Sequence, residues 1–225
     1  MTATTRSRGG LTALLAGASG LVGGECLRRL LDTQEYSSVV VVTRRDLGER
    51  VRHRKLRQFV VPFDRIDGLR GELRADHVFC ALGTTIRKAG SQRKFREVDL
   101  EYPLQLARLA RASGATHFSI VSALGASRSS PFFYSRVKGE VEEELRRMGW
   151  PSLAILRPSV IAGSRTESRP LERLSEHLLR FAPGAYRPVA ASDIAAAMVS
   201  VALESPPGTT ILESRDIVAA ARRGR

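Results

Sequence analysis

Cysteine is scarce: 225 residues hold only Cys26 and Cys80. Two cysteines cannot make a disulfide framework in a chain of this size, so a reducing compartment, the cytoplasm, is the expected location. No C-x-x-C occurs, and His53, His77, His117 and His177 lie far apart, so metal-ligand spacing is missing as well. No uncharged apolar stretch reaches the roughly 18 residues of a membrane span, and no membrane partner is expected. Lysine is rare too, with 4 Lys against 32 Arg in a formal net charge of +13. A basic chain can serve nucleic acid. Here the arginines are scattered from end to end, so a solvated surface is the plainer reading and nucleic acid is not an expected partner.

What is present is an ordinary globular composition, 43% hydrophobic and 26% charged. The length suits one domain with a full core and is too short for two ordinary ones. Residues 1–10 are Thr, Ser, Arg, Gly and one Ala after Met1 and read as a disordered tail, with the domain over residues 11–218 and a basic tail over 219–225. Arg6 and Arg8 before Leu11 to Gly24 resemble a signal peptide, but the apolar run stops at Ala16 and four glycines follow it, which argues against secretion.

Short apolar runs alternate with longer amphipathic ones. Strands are expected at Leu11 to Ala16, Val39 to Thr43, Phe59 to Phe63, His77 to Ala81, Phe118 to Val121, Leu153 to Leu156 and Thr209 to Glu213. Helices are expected at Leu21 to Leu31, Phe95 to Ala112 with a kink near Pro103, Phe132 to Met148, Leu171 to Phe181, and Ser192 to Leu203 with Ser192 or Asp193 near its N-cap. Strand alternating with helix at this spacing makes βαβ units. It predicts an α/β fold, Rossmann-like and doubly wound, with a mostly parallel sheet and helices on both faces.

The first strand runs into Gly17-Ala18-Ser19-Gly20-Leu21-Val22-Gly23, a G-x-x-G-x-x-G turn that opens a helix. In that context it is a variant of the dinucleotide fingerprint. Gly17 permits the tight turn, Gly20 lets a pyrophosphate approach the backbone, and Gly23 lets the helix pack close to the strand. The helix N-terminus then offers free N–H groups to the phosphates. Gly17, Ser19, Gly20, Leu21, Val22 and Gly23 are therefore the expected phosphate turn. The second strand ends in Thr43-Arg44-Arg45, where an NAD site would place an acid for the ribose 2′-OH. A carboxylate would repel a 2′-phosphate, whereas guanidinium groups grip it, so Arg44 and Arg45 argue for NADP(H).

Tyr134-Ser135-Arg136-Val137-Lys138 places a phenol and an ammonium four residues apart, on one helix face. They flank the apolar stripe of Val137, Val141, Leu145 and Met148, an odd place for a lysine with only a structural task. A phenol is a poor acid or base at neutral pH, and a nearby ammonium favours the phenolate. Ser122 stands at the end of the preceding strand, where a doubly wound sheet presents its active groups.

Together these residues, with Arg157-Pro158 after a late strand, resemble the short-chain dehydrogenase/reductase superfamily. The segments Cys80-Ala81-Leu82-Gly83-Thr84-Thr85, Lys138-Gly139-Glu140-Val141-Glu142 and Glu167-Ser168-Arg169-Pro170 are similar to its atypical branch around the HIV Tat-interacting oxidoreductase-like proteins, over Leu11 to Glu213. The resemblance implies that Tyr134 is the general acid/base, that Lys138 binds the nicotinamide ribose and tunes Tyr134, and that Ser122 orients a substrate carbonyl. It also implies that Asp64 lies near the adenine, that Leu82 and Gly83 line the cofactor, and that Pro158 to Val160 approach the nicotinamide. Many superfamily members carry an asparagine about where this chain has Asp99, so its proton relay differs. The expected activity is NADP(H)-dependent hydride transfer to or from a small carbonyl or alcohol substrate. A nucleotide-bound regulator that binds a protein partner without turnover is the other reading, and a homodimer is left open. A pocket wall over Ile161 to Leu179, with Arg165, Arg169 and Arg173, would favour an acidic substrate.

Overall fold

Four consecutive valines, Val39 to Val42, have no side that could face water, so they must lie in the middle of a sheet covered on both faces. A computed structural model of the chain, which describes residues 10–162 and 187–224, places them there. Strand β1 (Leu11–Ala16) lies between β2 (Tyr36–Thr43) and β4 (His77–Cys80). Outside these run β3 (Leu56–Val60), β5 (His117–Val121), β6 (Ser152–Arg157) and β9 (Gly208–Glu213). The order is β3-β2-β1-β4-β5-β6-β9, and all pairs are parallel. This is the doubly wound order, extended by one strand at its far edge. A second small sheet pairs β7 (Ile161–Ala162) with β8 (Val189–Ala190).

The period-2 pattern of the strands divides the core. Ala13, Leu15, Val39 and Val41 face one layer of helices: α1 (Leu21–Asp32), α6 (Ala191–Glu204) and α7 (Ser214–Arg223). Leu14, Ala16, Val40 and Val42 face the other, which includes α4 (Tyr102–Ala112) and α5 (Phe133–Arg147). Because every strand points the same way, all the strand-end loops meet at one edge, and the direction of winding reverses between β1 and β4.

Several boundaries differ from the pattern read along the chain. The third strand is Leu56–Val60, not Phe59 to Phe63. Pro62 has no N–H to extend the ladder, and Phe63–Leu69 turns as 3-10 helix. The long helix expected over Phe95 to Ala112 is present and starts three residues earlier: α3 (Gln92–Arg96) runs through a π turn (Glu97–Glu101) into α4, and a short α2 (Ile86–Ala89) precedes it. Pro103 cannot donate to the carbonyl four residues back. The π turn takes up the mismatch: the Tyr102 N–H reaches five residues back to Glu97, and Asp99 and Leu100 are buried. Helix α6 begins at Ala191 with Ala190 as its N-cap, ahead of Ser192 and Asp193. Residues 219–223 are not a tail. They complete α7, whose Ile217, Ala220 and Ala221 form a buried i, i+3, i+4 stripe behind a Glu213/Asp216 capping box. The expected helix at Leu171 to Phe181 and most of the expected N-terminal tail lie outside the described residues.

At the opposite edge from the strand-end loops, polar side chains are buried in a closed set. Tyr36 Oη bonds His77 Nδ1 at 2.8 Å, and the His77 and His117 rings stand 5.5 Å apart. The two nitrogens of His117 meet Ser152 Oγ at 2.8 Å and Ser119 Oγ at 2.7 Å. Burial, and then the neighbouring His77, pull His117 down to about 3. The unfolded imidazole takes up its proton near 6.5. His117 therefore contributes its full stability above that value and loses it as pH falls from 6.5 toward 3. We expect about 2 kcal/mol less stability at pH 5 than at pH 7.5 from this group. Urea titrations at the two pH values check it. A His117→Gln variant with the same pH dependence as wild type would assign the effect elsewhere.

Candidate functional site

The turn after β1 is built by two glycines whose roles are steric. Gly17 has φ +93°, and a Cβ there would sit 2.5 Å from the Ala81 carbonyl group, so the turn lies directly against the end of β4. A Cβ on Gly23 would meet Gly17 O at 2.0 Å, so α1 rests on the turn with no room for a side chain. Gly20 differs. As N-cap of α1 it has φ −84°, open to any residue, and its N–H donates to Gly17 O at 2.9 Å. Its missing side chain matters for what approaches from outside. The first turn of α1 carries no acidic residue and no capping side chain, so its N–H groups are available to an anion. The side chains of Leu21 and Val22 turn into the core, while Ser19 is exposed.

Above this turn lies a cleft of about 710 Å³ at the switch point of the sheet. Its walls include Gly17, Ser19 and Gly20 from the turn, Arg44 and Arg45 after β2, and Leu82 and Gly83 after β4. Phe63 and Tyr102 also line it, their rings stacked at 5.3 Å and 23° as a flat aromatic surface. Among the described residues four of the lining side chains are cations (Arg44, Arg45, Lys88 and Lys94) and none is a carboxylate. Such a cleft can take a planar base at its aromatic end and several phosphate charges along its length.

Lys138, from α5, stands behind Gly83 and outside the cleft wall. It is 4% exposed, and its Nζ lies 2.7 Å from Asp99 Oδ1 and 3.4 Å from the Val121 carbonyl. Asp99 is held in turn by the Thr84 N–H at 2.9 Å. A Cβ on Gly83 would approach both Asp99 Oδ1 and Lys138 Nζ, so Gly83 is where the buried pair meets the cleft. Burial acts to lower Lys138, but the Asp99 carboxylate, helped by Tyr134, more than offsets it and holds the ammonium above the ordinary lysine range. Tyr134 sits one turn before Lys138, 38% exposed, with its ring against Phe95 at 5.6 Å.

Ser122 does not join them. Its hydroxyl is buried and donates to Glu142 Oε1 at 2.5 Å, two turns of α5 beyond Tyr134. The same carboxylate accepts from Arg157 Nε at 2.9 Å and Arg146 Nη2 at 3.0 Å. The next residue, Ala123, offers no hydroxyl. Successive residues at a strand end point to opposite sides, so the expectation that Ser122 would orient a carbonyl fails by one position. Asp64 is exposed at the start of the Phe63–Leu69 turn and, unlike its neighbour Phe63, is not in the cleft wall. Pro158 and Val160 follow β6 and likewise stand outside it, Pro158 buried and Val160 exposed. Arg165, Arg169 and Arg173, with most of the expected pocket wall, lie outside the described residues. Cys26 and Cys80 are free and buried, each pushed up to about 12 by burial. Among the described residues no group of three or more His, Cys, Asp and Glu side chains is placed to hold a metal ion.

Similarity to known proteins is consistent with this geometry. The chain is 37% identical over 177 residues to Protein HTATIP2 of Rattus norvegicus, covering 78% of this chain and 73% of that one. It belongs to the HTATIP2-like family of atypical short-chain dehydrogenase/reductases. Another relative is Protein fmp52-1, mitochondrial, of Aspergillus terreus, 35% identical over 174 residues, 75% of this chain and 74% of that one. No family model matches the chain. Among solved structures, the Bordetella bronchiseptica enzyme WbmG in complex with NAD superposes with a TM-score of 0.69 at 15% identity, over 93% of this chain and 74% of that one. At that identity the likeness concerns the fold.

For this member of the HTATIP2-like family, local pattern pointed to the glycine turn and the two arginines, which line the cleft, and to the Tyr134/Lys138 pair, which does not. It missed Lys88 and Lys94, the Phe63/Tyr102 surface and the partner of Lys138. Two spacings carried a signal. Thr85-x-x-Lys88 and Ser91-x-x-Lys94 are N-caps that fix where each lysine starts, and both caps form. Among the described residues no helix is long and apolar enough to cross a membrane.

Proposed function

We propose that this chain binds NADP(H) in the cleft and acts as an oxidoreductase on a carbonyl or alcohol substrate. The observation that carries the reading is the cleft wall itself: among the described residues it has four cations and no carboxylate, above a glycine turn that ends in an uncapped helix. The residues fit the group. Gly17 and Gly23 leave no room for side chains, so the turn lies flat against the sheet, and Gly20 keeps the helix N-terminus open to a pyrophosphate. Arg44 and Arg45 would hold the 2′-phosphate, and Phe63 with Tyr102 would face the adenine. The structural neighbour solved with NAD supports a nicotinamide dinucleotide as the ligand class.

When bound, the nicotinamide supplies the hydride chemistry. This chain's residues supply position and a proton. Lys138, kept charged and fixed by Asp99, presents an ammonium beside Gly83 to the ribose end of the cleft. Tyr134, on the same helix face, is the group that would move a proton at the substrate oxygen.

A second reading, an NADP(H) sensor with little turnover, is favoured by one specific observation. Glu142 occupies the Ser122 hydroxyl, and Ala123 replaces it with nothing, so the strand end offers no hydroxyl to a carbonyl. A cytoplasmic location is proposed on the two free thiols alone, whereas the fungal relatives carry "mitochondrial" in their names.

The cofactor assignment is tested by calorimetry. NADPH is expected to bind at least about tenfold tighter than NADH, about 1.4 kcal/mol. Replacing Arg44 and Arg45 together with alanine should remove most of that preference. Equal affinities in wild type would reject the 2′-phosphate site, and binding of neither would reject the reading as a whole.

A further inference from the structure

Arg44, Arg45 and the glycine turn account for one side of the cleft only. The facing side comes from the segment after β4, where α2 is a single helical turn and α3 is the first turn of the helix that runs on into α4. Each is started by a side-chain cap: Thr85 Oγ1 accepts the Lys88 N–H at 3.2 Å, and Ser91 Oγ accepts the Lys94 N–H at 3.2 Å. Gly90, at φ +77°, ends the first turn and lets the second begin. The caps therefore place the two lysines by their own backbones. Five cations lie between Ile86 and Arg96, but they do not point alike. Arg96 pairs with Glu140 at 2.7 Å and Arg93 with Glu97 at 2.8 Å, and neither is in the cleft wall. Arg87 is exposed and also outside it. Only Lys88 and Lys94 line the cleft.

Lys94 Nζ also contacts Glu97 Oε2 at 2.7 Å. That contact is exchangeable, because Arg93 stays on Oε1 of the same carboxylate. Lys94 can turn to a phosphate without leaving Glu97 unpaired. An anion with several charges, placed between the two lysines and the two arginines, meets a positive field from both sides of the cleft.

We propose that Lys88 and Lys94 are phosphate-binding residues of this site, closing on the phosphates of the bound dinucleotide from the side opposite Arg44, Arg45 and the glycine turn. This rests on the NADP(H) reading above and extends it to a second set of residues. The test uses the full chain, with Lys88→Gln, Lys94→Gln and the double variant, and with Arg87→Gln as a control of equal charge change on the same helical turn. Calorimetric titrations with NADPH, NADH and 2′,5′-ADP read the result. Each single variant should weaken NADPH binding about tenfold, as expected for losing one charge-assisted hydrogen bond, and the double variant more. Arg87→Gln should change it less than about twofold. A loss shared by NADPH and NADH assigns the lysines to the pyrophosphate. A loss confined to NADPH and 2′,5′-ADP assigns them to the 2′-phosphate. Unchanged affinity in the double variant, or an equal loss in Arg87→Gln, would overturn the inference while leaving the cofactor reading intact. Wild type that binds none of the three ligands would remove both.

Discussion

Tyr134→Phe is expected to cut turnover about 10²-fold or more while leaving NADPH affinity nearly unchanged. The ring is retained, so its packing on Phe95 survives, and only the hydroxyl is lost. That hydroxyl is not in the wall of the cofactor cleft. It stands one helical turn before Lys138, whose ammonium is held by the Asp99 carboxylate at 2.7 Å. Its removal should therefore be felt by the substrate and hardly by the dinucleotide. The measurement is NADPH oxidation against a broad carbonyl panel, paired with a binding titration of each protein. Full activity in Tyr134→Phe, on any substrate that wild type turns over, would show that the proton comes from another group. No turnover by wild type on any member of the panel, with NADPH binding intact, would favour the sensor reading.

The second large effect concerns stability. Glu142 is fully buried and ties Ser122 after β5, Arg157 at the end of β6 and Arg146 on its own helix into one cluster. Glu142→Ala would leave the half-buried Arg157 guanidinium and the Ser122 hydroxyl without their shared partner. Removing one side of a buried ion pair costs about 3–5 kcal/mol, and we expect a loss in that range in urea or guanidinium unfolding. Ser122→Ala removes one hydrogen bond and should cost about 1 kcal/mol, with turnover close to wild type. The reverse pattern, a stable Ser122→Ala protein with turnover reduced about 10²-fold, would return Ser122 to the chemistry. A Glu142→Ala protein as stable as wild type would mean that the cluster is solvated in practice.

The two halves of the site differ in how far they could be read along the chain. The glycine turn was legible because its demands are local: Gly17, Gly20 and Gly23 lie within seven residues, between a strand and the helix it opens. Arg44 and Arg45 were legible because a doubly wound fold brings the ends of β1 and β2 together in any member. Ser122 was misread because the chain pattern says that a strand ends there, but not which of two successive side chains faces the cleft. Lys88 and Lys94 were passed over among five cations, since charge spacing alone does not distinguish a lysine in a cleft wall from one in water.

The sequence by itself determined the architecture: valine-rich strands with period 2, amphipathic helices between them, and a glycine turn that admits no other residue at Gly17 and Gly23. Those are short-range properties, set by backbone sterics and by the partition of apolar side chains from water. Only the tertiary structure decided which polar groups meet. Asp99 finds Lys138 across 39 positions because a π turn buries it, and Glu142 takes the hydroxyl of Ser122 from 20 positions away. Apolar burial is non-directional and leaves its period in the sequence, whereas a buried charge needs one particular partner at one distance, and that partner is fixed only when helices and strands pack.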